Sequence, residues 1–124
     1  MGRQGDAATG RAAHRLGLRA EMLAALLLRL KGYRIVARRL KTPAGEIDMV
    51  ARRGRALAII EVKARADAAA AAEALQPRQL KRLERAAAHF LGRNPALADL
   101  DLRFDVVLVT PLRLPRHMED AWRP

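Results

Sequence analysis

Cysteine is absent from these 124 residues. That excludes disulfides, thiolate metal sites and thiol nucleophiles, and is compatible with a reducing compartment. Aromatics are nearly absent too: two Phe, one Tyr and one Trp, too few for a platform on which single-stranded bases could stack. No run approaches the ~18 to 20 uninterrupted apolar residues of a membrane span. The opening MGRQGDAATGRAAHR has no apolar stretch of a secretory signal, so a soluble, cytoplasmic protein without membrane association is expected. The three histidines, His14, His89 and His117, are far apart and lack metal-ligand spacing, which argues against a zinc site or a histidine base. Acidic residues are scarce in the first half. Residues 1–66 carry 15 bases and 5 acids, residues 67–124 carry 9 and 8, and the net charge is +11. A polyanionic partner, nucleic acid foremost, is the natural consequence.

What is present suffices for one compact domain with one core. Residues 1–10 are polar and Gly-rich and are expected to form a mobile arm. From about Arg11 to Lys31, the residues Leu16, Ala20, Leu23, Leu27 and Leu30 recur three or four apart, predicting the apolar stripe of a helix ending at Gly32. Tyr33–Leu40 alternates as a strand does, Thr42-Pro43-Ala44-Gly45 is turn chemistry, and EIDMVARR forms a second strand up to Gly54. ALAIIEVKAR, Ala56 to Arg65, is apolar and then abruptly charged, as befits a central strand whose end opens into a site. The alanine-rich residues 67–76 fit either a loop or an irregular helix. Pro77 opens a second helix running to Gly92, Asp101–Val109 reads as a fourth strand, and residues 111–124 read as a surface tail. The expected order is α-β-β-β-α-β.

Side chains two apart share a strand face, so Glu61 and Lys63 project together. A hairpin around Gly54 and Arg55 brings Asp48 beside Glu61, since both lie equally far from that turn. Two carboxylates and an ammonium suit a hard cation such as Mg²⁺ or Mn²⁺, which needs only one or two carboxylates beside water and phosphate. Asp48 and Glu61, with the backbone carbonyl of Val62, would hold the metal, while Lys63 would position water or stabilise developing charge. Only four of the 24 basic residues are lysines, so a Lys at this position points to a compact, tunable ammonium. Without Asp48, Glu61 and Lys63 would read as an ordinary strand-end salt bridge.

The run Gly45-Glu46-Ile47-Asp48 followed by Glu61-Val62-Lys63-Ala64-Arg65, after a helix with Ala20-Glu21 and then Gly32-Tyr33, resembles the uncharacterised bacterial YraN-like family. That family looks like a branch of the PD-(D/E)XK restriction-endonuclease-like superfamily, near the Holliday-junction resolvases. The likeness spans roughly residues 15–109, including Arg103-Phe104-Asp105. It implies an α/β fold with a helix-flanked mixed sheet over residues 11–110, and a metal-dependent endonuclease acting on DNA, branched or structured. By position, Asp48, Glu61 and Lys63 match the superfamily's catalytic set, and Glu21 matches a helix-borne metal ligand; Glu21 also suits a nearby arginine such as Arg19. The Pro of the PD pair is replaced by Ile47, and the role of Glu46 stays open. Related nucleases contact DNA or the site from the helix that begins here at Pro77; Gln79, Lys81 and Arg82 are expected to do so, with Arg38, Arg39, Lys41 and Arg65 from the strands. A homodimer would suit symmetric cutting of two strands. The rivals are a non-catalytic nucleic-acid-binding module on the same fold and a basic scaffold for a protein partner.

Overall fold

A computed structural model describes residues 17–66 and 76–123; the expected arm over residues 1–10 and most of the alanine-rich connection lie outside them. Helix α1 covers residues 17–30. It ends where expected, through two hydrogen bonds that close the last turn: Tyr33 N–H to Leu28 C=O at 2.9 Å and Gly32 N–H to Arg29 C=O at 3.0 Å. This closure needs a left-handed residue past the helix end, and Gly32 supplies φ +90°. Three antiparallel strands follow, β1 (Arg34–Thr42), β2 (Gly45–Arg53) and β3 (Ala56–Ala64). Helix α2 (Pro77–Arg93) then leads to β4 (Asp101–Val109), parallel to β3.

A fifth strand, β5 (Arg116–Trp122), pairs antiparallel with β4 and completes a sheet ordered β1-β2-β3-β4-β5. Part of the stretch expected to be a surface tail is therefore sheet. Its period-two signal is broken by a register shift opposite Phe104 and Val106, with Asp120 at φ +53°, so apolar and polar residues fall out of alternation. Among the described residues, the α-β-β-β-α-β order read from the sequence holds up to Val109. The architecture is α/β with a mixed sheet, consistent with a restriction-endonuclease-like core.

The two described helices cover opposite faces. On one, Ala20, Ala24, Ala25 and Leu28 of α1 pack on Met49, Ala51, Ala58, Ile60 and Val107. On the other, Leu83, Ala86, Ala87 and Phe90 of α2 pack on Ile47, Val50, Leu57, Ile59 and Phe104. Covered on both sides, β3 reads as a continuous apolar run until Glu61. The expected α1 stripe is rotated: Leu23 and Leu30 are 42% and 78% exposed, and the sheet is met mainly by small alanines. AEMLAALLLRL is apolar around most of its circumference, so spacing alone does not select the inward face. None of the described helices is long and apolar enough to cross a membrane.

Candidate active site

The β2–β3 register pairs Met49 with Ile60 and Val50 with Ile59, so one further step sets Asp48 opposite Glu61. Asp48 Oδ2 accepts a hydrogen bond from the Val62 backbone N–H at 2.8 Å, fixing this carboxylate against the end of β3. Lys63 Nζ lies 3.0 Å from Glu61 Oε1, with both side chains about nine-tenths buried. It also donates to Gln79 Oε1, on the first turn of α2, at 3.4 Å. The structure thus gathers Asp48, Glu61, Val62, Lys63 and Gln79 where the central strand turns from apolar to charged.

The electrostatics at this point are unbalanced. Burial first, and the neighbouring Glu61 second, push the Asp48 carboxyl up to about 7; Glu21 adds to the rise, while the Val62 N–H and Lys63 oppose it. One ammonium, already bound to Glu61, does not offset crowded carboxylates in a partly desolvated place. Glu21 is near enough for its charge to reach Asp48, but its Oε2 accepts from Arg39 Nε at 2.6 Å. Among the described residues no three carboxylate or imidazole groups stand together as a ready metal cage. Glu21 therefore contributes field, and its own partner is Arg39; Arg19 does not hold it.

The remaining expected residues are scattered around this centre. Arg38 and Lys41 are exposed on β1, opposite Met49 and Glu46. Arg39, at φ +50°, is held by Glu21. Arg65 lies just past β3 and donates to the Ala64 carbonyl. Lys81 and Arg82 are exposed on α2. Arg82 reaches back over the β1–β2 turn, so that a Cβ at Gly45 would stand 2.8 Å from its Cδ. With φ +138° as well, Gly45 has both the backbone and the space as reasons to be glycine. Glu46 is exposed at the start of β2.

A second polar cluster was not expected as a unit. Asp105, wholly buried, accepts from Arg103 through both carboxylate oxygens at 2.8 Å, from the Asp120 N–H at 2.9 Å and from the His117 ring at 2.7 Å. The other His117 nitrogen lies 2.6 Å from Lys31 Nζ. Burial would raise Asp105, but the donors from His117, Arg103 and the Asp120 backbone outweigh it and hold the carboxyl down at about 2. The only local signal was an acid inside the apolar run FDVVLV; the partners Lys31 and His117 are 86 residues apart.

The profile of the uncharacterised protein family UPF0102 matches residues 20–109. The chain belongs to the UPF0102 family. Curated UPF0102 proteins align along almost the whole chain. One from Parvibaculum lavamentivorans is 76% identical over 122 residues, covering 98% of this chain and 92% of its own. Others, from Paramagnetospirillum magneticum and Caulobacter vibrioides, are 59% and 50% identical, each covering about nine-tenths of both chains. The matched segment of this UPF0102 protein holds the whole Asp48, Glu61 and Lys63 constellation, and it ends before β5.

Proposed function

We propose that this UPF0102 protein is a Mg²⁺- or Mn²⁺-dependent endodeoxyribonuclease of the PD-(D/E)XK superfamily, hydrolysing phosphodiester bonds in branched or structured DNA. The observation that carries the reading is the meeting of Asp48, Glu61 and Lys63 at the ends of two adjacent antiparallel strands. The donor set fits a hard divalent cation: two oxygen-bearing side chains at the edge of the core, with the Val62 carbonyl beside them. Asp48, Glu61 and Val62 would hold the ion, with Glu21 adding negative field. Such an ion supplies Lewis-acid polarisation of the phosphodiester and a more acidic water.

The chain's own groups do the rest. The Val62 N–H fixes the orientation of Asp48. Glu61 and Gln79 together hold the Lys63 ammonium, leaving it one N–H to offer a phosphate oxygen or an attacking water. Arg38, Lys41, Arg65, Lys81 and Arg82 would grip the phosphate backbone, a role that asks for charge and no aromatic platform. Arg39 would do so only on releasing Glu21.

The test is cleavage of four-way junction, flap and linear DNA, with and without Mg²⁺ or Mn²⁺, by the wild type, Asp48→Ala and Lys63→Ala. Cleavage is expected only from the wild type with metal, and equal cleavage by all three proteins would remove the mechanism. Salt-sensitive binding with no cleavage by any of them would leave a binding module on this fold.

A further inference from the structure

Away from Asp48, a cleft of about 420 Å³ opens between α1 and the turn that follows β4. Its apolar seat is built by Leu23, Val109, Pro111 and Leu112, with smaller alanines between them. Leu112 is fully exposed and Leu23 is 42% exposed. On the same helix Met22 and Leu26 are also exposed, so apolar surface continues beyond the cleft. Contiguous apolar surface of this kind on a soluble chain marks an interaction site, and the volume lies in the ~300 to 1,000 Å³ range of pockets that take a ligand group.

The rim names the partner's charge. Among the described residues, three arginines, Arg19, Arg65 and Arg113, line the cleft and no acidic residue does. Among the described residues none of the three enters a salt bridge. An apolar seat ringed by uncompensated guanidiniums is complementary to an apolar side chain flanked by carboxylates. Nucleic acid suits the seat poorly, because the side chains of Leu23, Val109, Pro111 and Leu112 offer a phosphate backbone no donor. A second copy of this chain, with its net charge of +11, would bring like charge to the rim.

We propose that this cleft docks an acidic peptide segment of a partner protein, with a bulky apolar side chain against Leu23, Val109, Pro111 and Leu112 and carboxylates on Arg19 and Arg113. The proposal is independent of DNA hydrolysis. A displayed library of random short peptides, panned against the whole chain at ~0.15 M salt to screen non-specific attraction, tests it. Enriched peptides should combine Asp or Glu with Leu, Phe or Trp. Synthetic versions should bind Leu112→Asp and Arg113→Glu at least tenfold more weakly, while DNA cleavage by both variants stays at the wild-type level. Because Leu112 is fully exposed, its substitution leaves the core intact. No enrichment, or enriched acidic peptides that bind Leu112→Asp as tightly as wild type, would overturn the proposal. So would anionic phospholipid vesicles binding with the same residue dependence while the peptides do not, which would make the cleft a membrane contact.

Discussion

Two aspartates, half-buried Asp48 on β2 and buried Asp105 on β4, meet opposite fates. Asp105 is surrounded by donors on every side, from Arg103, His117 and the Asp120 backbone, and its carboxyl is held down at about 2. Asp48 has one backbone donor and faces another carboxylate, and it is pushed up to about 7. The residue type is the same, and the sign of the shift comes from whether the fold brings donors or more acid. Asp105 is a completed structural centre that ties β4, β5 and the end of α1 together. Asp48 and Glu61 make an incomplete one, stabilised by anything that brings positive charge, which is what a cation-binding site requires.

Substitutions separate the two most sharply. Asp105→Asn should destabilise the fold by about 3–5 kcal/mol, because Arg103 loses its buried counter-charge and one of the two accepting oxygens becomes an NH₂ facing donors; urea denaturation near neutral pH measures this. Asp48→Asn keeps a hydrogen-bond acceptor for the Val62 N–H and removes the crowded charge, so in metal-free buffer it should stabilise. A carboxyl raised from 3.8 to about 7 costs nothing below its ordinary value, and its penalty is complete above the raised one. The gain should therefore reach on the order of 2–4 kcal/mol near pH 8 and vanish toward pH 4. Asp105 gives the mirror image in the wild type. With its carboxyl lowered from 3.8 to about 2, its contribution of about 2 kcal/mol is present above the ordinary value and lost as pH falls through the lowered one. An acid titration followed by circular dichroism should show that loss, and Asp105→Asn should abolish it. Glu46→Gln, at an exposed position of the same motif, should change stability by less than about 0.5 kcal/mol.

The sequence was most informative where neighbours in the chain are neighbours in space. The hairpin around Gly54 brings Asp48 to Glu61 by counting residues, and the helix end at Gly32 follows from the backbone freedom of glycine. Two features resisted. Helix α1 is apolar nearly all round, so Leu23 and Leu30 looked like core when Ala20, Ala24 and Leu28 are. Strand β5 carries a bulge that scrambles its alternation, and its anchor, His117 between Asp105 and Lys31, depends on contacts that no local pattern records. The exposed leucines that misled the α1 reading are in part those that form the docking cleft.

Isothermal titration of Mn²⁺ into metal-free protein near neutral pH tests the unfinished character of the Asp48 centre directly. Binding of one ion per chain with release of protons, lost in Asp48→Asn and retained in Glu46→Gln, is the outcome expected of two carboxylates waiting for a cation. Binding of equal affinity in the wild type and Asp48→Asn, or none in either, would contradict it.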